Sequence, residues 1–220
     1  VTQNRSTAVM QRRVEAHDSL DDFPTPPWAT RALCEFLGDE GFDLSAMSCR
    51  EPAANRGHMV KPLFEAFGHV LASDVHDYGA GFKVRDYLFG PIAHLDRTDW
   101  TITNPPFRLA EQFIERALAL SHVGVAMIVR TAFLEGVGRF ERLFSAHQPA
   151  HVLQFSERVV MHKGKLTATG STATAYCWII WRPSTVGKMA HPHARFGWIA
   201  PCRKRLERAG DYPVATDQAA

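Results

Sequence analysis

The run Val123-Gly124-Val125-Ala126-Met127-Ile128-Val129 carries no polar side chain. A strand that is apolar in continuous order, rather than at every second residue, must be covered on both faces. That requirement selects a sheet packed between helices, and the rest of the chain supplies both kinds of element. Helical spacing runs through Trp28, Ala29, Ala32, Leu33, Phe36 and Leu37, launched by the extended segment Phe23-Pro24-Thr25-Pro26-Pro27. It recurs through Val60, Leu63, Phe64 and Phe67, over 109–120 with Phe113, Ile114, Ala117 and Leu118 inward, and through Phe140, Leu143 and Phe144. Strand-like runs lie at 46–50, 69–74, 100–103, 151–155 and 172–181, with a short further element at 84–88. Alternation of this kind predicts an α/β fold, an open and mainly parallel sheet with helices on both faces.

The bulk properties suit one such domain. The chain has 220 residues, is 45% apolar and 22% charged, and has the composition of an ordinary globular protein. We expect a polar arm over 1–22, the α/β domain over 23–182 and a basic tail over 183–220. No apolar run is long enough to cross a membrane, and the first residues lack the apolar core of a secretory signal, so the expected compartment is the cytoplasm. Cys34, Cys49, Cys177 and Cys202 show no paired metal spacing and are expected to be reduced. His191, His193 and Cys202 likewise lack a zinc-like pattern, and no metal is expected. The net charge of +2 and a pI near 8.4 are too mild to demand a nucleic-acid partner. The tail is more suggestive. Arg182, Lys188, Arg195, Arg203, Lys204, Arg205 and Arg208 stand against Glu207, Asp211 and Asp217. Such a segment can meet phosphates or form a solvated surface.

Sheets of this class bind ligands at the carboxyl ends of their strands. Glu51, Asp74, Asp86 and Asn104 each fall at or just after such an end. After Trp100–Thr103 comes Asn104-Pro105-Pro106-Phe107. Asn104 brings an amide carbonyl. Pro105 has no N–H, so the carbonyl beside it has no competing donor. Phe107 adds a stacking face. Together they can grip a flat molecule bearing an exocyclic amine; they serve equally well as a rigid turn with a buried ring. Upstream, Glu51-Pro52-Ala53-Ala54-Asn55-Arg56-Gly57 joins a strand to a helix through small residues, which let a ligand approach the backbone and the free N–H groups of the helix start. The glycine pattern and lysine of a phosphate loop are missing. Asp74, about twenty residues further on, can accept from the two hydroxyls of a ribose. Asp86 can accept from an adenine amine. The set describes a nucleoside-bearing cofactor without a pyrophosphate, which S-adenosylmethionine fits better than a dinucleotide.

With these residues in order, residues 20–182 resemble the class I S-adenosylmethionine-dependent methyltransferases. The resemblance is closest to small phage- or prophage-type methyltransferases that act on the amino group of DNA adenine. It rests on Asp22-Phe23-Pro24-Thr25-Pro26-Pro27-Trp28-Ala29-Thr30, on Glu51-Pro52-Ala53-Ala54, on Ala72-Ser73-Asp74-Val75-His76-Asp77-Tyr78-Gly79 and on Thr103–Phe107. It implies a Rossmann-like fold with a mostly parallel seven-stranded sheet. Thr25 and Pro26 would cover the methionine part of the cofactor, with Glu51, Pro52 and Ala53 beneath it and Asn55 and Gly57 completing the turn. Asp74 would take the ribose, Val75 would pack on the adenine, and Asp86 and Tyr87 would hold its edge. Asn104 and the Pro105 carbonyl would accept from the target amine, with Pro106 stiffening the segment and Phe107 stacking on the base. Asn55 stands where the family usually has glycine, and asparagine tolerates a left-handed backbone better than most residues. Arg56 occupies a position that is often small or acidic.

The implied chemistry is direct methyl transfer, without a covalent enzyme intermediate or a metal. A base in a duplex would first be flipped out, at a cost of about a few kcal/mol. Arg130, Arg139, Arg142, Arg158, Lys163 and Lys165 are candidates for contacts to the nucleic-acid backbone, the last three within the polar loop 156–171. The same tetrapeptide type also occurs in enzymes acting on guanine or adenine in RNA, or on glutamine in proteins. A third reading is a nucleic-acid-binding module of this fold without turnover.

Overall fold

The computed structural model describes residues 20–183 and 193–212. The expected arm, apart from Leu20, Asp21 and Asp22, lies outside these residues, as do Lys188, His191 and Asp217. Eight strands form one sheet: β1 (Ser48–Glu51), β2 (His69–Asp74), β3 (Lys83–Val84), β4 (Thr98–Thr103), β5 (Ser121–Arg130), β6 (His151–Phe155), β7 (Tyr176–Trp181) and β8 (Arg195–Ile199). Their order is β3-β2-β1-β4-β5-β7-β6-β8. The first five in that order run parallel, β7 lies antiparallel between β5 and β6, and β8 runs parallel to β6.

The apolar run over 123–129 lies within β5, at the middle of the sheet. Val125, Met127 and Val129 point to one face and Ala126 and Ile128 to the other. One face is covered by α1 (Pro27–Asp39) and α2 (Val60–Ala66), which bury Trp28, Leu33 and Leu63 over Trp100, Ile102 and Trp178. Pro27 sits in the first turn of α1, where a missing N–H costs nothing. The other face is covered by α3 (Ala110–Leu120), with Phe113, Ile114 and Ala117 inward, and by Leu143. Gly124 is dictated by packing: a Cβ there would lie 2.2 Å from the ring of Trp100 on the neighbouring strand. Trp178 donates its indole N–H to the carbonyl of Ala29 at 3.1 Å, which ties β7 to α1.

Several expectations need correction. The sheet has eight strands rather than seven, because Arg195–Ile199, read as basic tail, pairs along β6. It is followed by the short α5 (Arg203–Leu206), whose Leu206 is buried in the α1 layer. The third strand is only Lys83–Val84, so Asp86 and Tyr87 belong to the turn after it. The late strand starts at Tyr176, not 172. The helix expected through Phe140, Leu143 and Phe144 is a single turn, α4 (Val137–Arg139), running into a π-turn over Phe140–Phe144 that buries Leu143 alone. Among the described residues, no helix is long and apolar enough to cross a membrane.

Candidate functional site

Because β1, β2 and β4 are parallel, their C-terminal ends share one edge of the sheet. Glu51 ends β1, Asp74 ends β2, and Asn104 follows β4. A cleft opens there, with a cavity volume of about 190 Å³. Of the expected site residues, Thr25, Pro52, Ala53, Asn55, Asp74, Val75, Asp86, Tyr87, Asn104 and Pro106 line it. Pro26, Glu51, Gly57, Pro105 and Phe107 are not among its lining residues.

The turn after β1 is built from buried polar groups. Glu51 is fully buried; its Oε1 accepts the Ala53 N–H at 2.9 Å and the Thr103 hydroxyl, while Oε2 is buried without a partner among the described residues. Burial pushes this carboxyl up to about 8, so at neutral pH it is mostly protonated. Asn55 takes the left-handed conformation, with φ +50°, that the sequence suggested it could tolerate. In that geometry its N–H donates to Asp74 Oδ2 at 2.8 Å. Asp74 Oδ1 accepts the His76 N–H at 3.0 Å. Each Asp74 oxygen therefore keeps a lone pair toward the cleft. Val75 stands 54% exposed at the rim, an apolar surface available to a flat ring. Asp86 accepts the Leu88 N–H at 2.9 Å through Oδ1, leaving Oδ2 uncommitted to that turn. Tyr87 is buried, 5.0 Å from the ring of Phe113, and braces that turn against α3.

The acceptor end is equally defined. Asn104 Nδ2 donates to the Phe23 carbonyl at 2.9 Å and lies 3.8 Å from Met161 Sδ. That pairing fixes which way the amide points, since only the nitrogen can donate to a carbonyl. Asn104 Oδ1 is left buried and unpartnered among the described residues. Phe107 packs at 5.3 Å against Phe23, and its N–H donates to Asp21 Oδ2 at 2.8 Å.

Sequence reasoning missed the part played by Leu20–Pro24. Leu20, Asp21, Phe23 and Pro24 join Thr25 in lining the cleft. Asp22 Oδ1 accepts from Asn55 Nδ2 at 2.7 Å and from Arg56 Nη1 at 2.9 Å, and Arg56 also stacks over Tyr78 at 4.8 Å. The Asp22 carbonyl accepts the Gly164 N–H at 2.8 Å. One short segment thus bridges the β1 turn, the tetrapeptide and the loop 156–171. His58 and Tyr78, also cleft-lining, were not expected; burial holds the His58 imidazole below its ordinary range and raises the Tyr78 phenol to about 12. The residues Asn55 and Arg56, noted as departures from a family pattern, were the available signal, because their partner Asp22 lies in the sequence beside the proline segment.

The expected cations divide. Arg130 is exposed at the end of β5, its guanidinium carbon 4.1 Å from the Phe107 ring centroid. Arg139 is committed to the scaffold: it donates to the carbonyls of Phe133 and Glu135 and pairs with Glu111. Arg142 also pairs with Glu111. Arg158 reaches the Ala173 carbonyl at 3.4 Å, and Lys163 and Lys165 are exposed in the loop. That loop is not polar throughout, since Val159, Val160 and Met161 are buried. In the C-terminal segment Arg203, Arg205 and Arg208 pair with Glu207, Glu35 and Glu65. Among the described residues, no three His, Cys, Asp or Glu side chains converge as a metal site.

No protein-family model and no curated protein sequence matches the chain. Solved structures do. A protein assigned as a class I S-adenosylmethionine-dependent methyltransferase from Listeria monocytogenes superposes with a TM-score of 0.62 at 12% identity, over 79% of this chain and 65% of that one. The modification subunit assigned to a type I restriction enzyme of Vibrio vulnificus gives 0.53 at 17% identity, over 77% and 46%. Magnesium protoporphyrin IX methyltransferase of Synechocystis, with bound S-adenosylmethionine, gives 0.52 at 12% identity, over 72% and 79%. The chain thus spans just under two thirds of the first of these proteins and about half of the second. At these identities the likeness is one of fold, and the fold is the Rossmann-like one of the class I methyltransferases.

Proposed function

We propose that this chain transfers a methyl group from S-adenosylmethionine to the exocyclic amino group of adenine in DNA. The observation that carries the reading is Asn104 Oδ1: a buried amide oxygen without a partner among the described residues, at a strand end beside the cleft, in an amide whose nitrogen is already committed to Phe23. A buried acceptor left unpaired costs about 1–3 kcal/mol, so its retention suits an external donor. An aromatic amine is such a donor.

The cleft residues fit the cofactor. Asp74 offers two oxygens with free lone pairs, Val75 an apolar surface, and Ala53 and Ala54 a low wall. Among the described residues no lysine lines the cleft, as a polyphosphate would favour. S-adenosylmethionine would supply an electrophilic methyl group when bound. The chain's own residues would orient the nucleophile. Asn104 Oδ1 and the Pro105 carbonyl would accept from the amine, draw its lone pair toward the donor and hold it in line. Phe107 would stack on the base. Loop residue Met161, against Asn104, and the Leu20–Pro24 segment would keep water from the amine. The likeness to the modification subunit assigned to a type I restriction enzyme agrees with a DNA target.

Incubation with S-adenosylmethionine and DNA, RNA or protein, followed by analysis of methylated nucleosides and amino acids, tests the reading. N6-methyladenine in DNA is the expected product. Product in RNA or on glutamine would reassign the substrate, and no transfer with proven cofactor binding would favour a binding module.

A further inference from the structure

Arg130 differs from the arginines that the fold holds in ion pairs. Arg56, Arg139, Arg142, Arg203, Arg205 and Arg208 each pair with a carboxylate. Arg130 forms no ion pair among the described residues, although it is exposed and sits at the ligand edge of the sheet. Its guanidinium carbon instead lies 4.1 Å from the centroid of Phe107 and 5.8 Å from that of Phe23. A guanidinium is flat, weakly hydrated and suited to ring faces. It therefore covers, with a planar cation, the same kind of surface that a base would need. β5 runs parallel to β4, with Thr103 beside Met127 at the C-terminal end, so Arg130 and the tetrapeptide emerge at the same edge.

We propose that Arg130 is a placeholder for the target base and a guide for its phosphate. In the structure its guanidinium lies on Phe107. When a base arrives, the base takes the ring face and the guanidinium moves to an adjacent phosphodiester. The ring stays covered in both states, and the cation is exchanged from a weak exposed π contact to a charge-assisted one. This inference rests on the reading that Asn104–Phe107 receives a flipped adenine.

The two roles have opposite signs, and that makes them separable. Arg130→Ala removes a competitor for the ring, so 9-methyladenine, which has no phosphate, should bind about threefold tighter or better by calorimetry in the presence of S-adenosylhomocysteine. The same variant should need about tenfold more of a DNA substrate for half-maximal rate. The slope of its DNA affinity against salt should fall by about 1, as for a lost phosphate contact. Arg130→Lys keeps the charge without the plane; it should follow the alanine variant for 9-methyladenine and lie between it and wild type for DNA. Shifts of the same sign for both ligands, or none for either, would overturn the proposal while wild-type turnover upheld the substrate reading. A wild-type protein that neither methylates DNA nor binds 9-methyladenine would overturn both.

Discussion

The Phe23 carbonyl takes the Asn104 side-chain N–H at 2.9 Å, so the amide oxygen is the one atom of that side chain left for a ligand. The carbonyl precedes Pro24, which has no N–H of its own to compete nearby. A backbone atom of the entrance segment therefore sets the polarity of the acceptor. Asn104→Ala should lower single-turnover methyl transfer by about 10²–10³, the loss typical of one preorganised polar group. Asn104→Asp should fail as well, because a carboxylate has no N–H for Phe23. Cofactor affinity, measured by calorimetry, should stay within about twofold in both. Retained transfer in either variant would remove Asn104 from the chemistry.

Asp22 gives a second test. It joins the entrance segment to the β1 turn through Asn55 and Arg56. The pair is partly exposed, so its removal should alter folding stability by less than about 1 kcal/mol. Its effect should appear in ligand exchange instead. Asp22→Ala should speed cofactor release by about threefold to tenfold in stopped flow, as expected when a loop that covers a site is loosened. An unchanged release rate would mean that the bridge is only structural.

Glu51 links the site to pH. Burial raises its carboxyl to about 8 from an ordinary value of 4.5. Between these values the folded chain binds a proton that the unfolded chain has lost. The stability from the neutral carboxyl is thus fully present below pH 4.5 and declines as pH rises toward about 8. Denaturant melts across that range should show this slope in wild type. Glu51→Gln, which cannot ionise, should flatten it while keeping an acceptor for Ala53 and Thr103. A wild-type curve without the decline, or a variant that retains it, would contradict the assignment.

The strand ends were legible because Glu51, Asp74 and Asn104 each close a short strand-like segment just before a turn, and an α/β sheet gathers such ends at one edge. What escaped has definite causes. β8 hides because Arg195-Phe196-Gly197-Trp198-Ile199 is a short edge strand set among basic residues, and its two aromatics are 54% and 71% exposed rather than packed in the core. Val159-Val160-Met161 hides inside a loop whose flanking Arg158, His162 and Lys163 dominate its composition. Asp21 and Asp22 looked like the end of a polar arm, since their partners Phe107, Asn55 and Arg56 lie far along the chain. Local pattern identifies elements; it does not reveal which distant groups an acid will meet.

The same limit applies to Arg31, which sequence reasoning passed over on the polar side of α1. Only 5% of it is exposed, and it donates to both oxygens of Asp211, both of Glu65 and the carbonyl of Leu206. It thereby ties α1 to α2 and to the C-terminal segment. Burial alone would raise the Asp211 carboxyl, but the Arg31 hydrogen bonds and charge, the Arg208 N–H and the Lys61 ammonium together outweigh it and bring the group down to about 2 from 3.8. The sign is the reverse of that for Glu51. Stability from Asp211 is fully present above pH 3.8 and is lost as pH falls toward about 2. Asp211→Asn should leave a buried guanidinium with Glu65 as its one carboxylate partner. It should destabilise the fold by up to about 3 kcal/mol at neutral pH, less than for a wholly unpaired charge. The variant should also lose the part of the acid-unfolding slope that lies between these two pH values. Equal stability of wild type and variant at pH 7 would show that the C-terminal segment is not held by this pair.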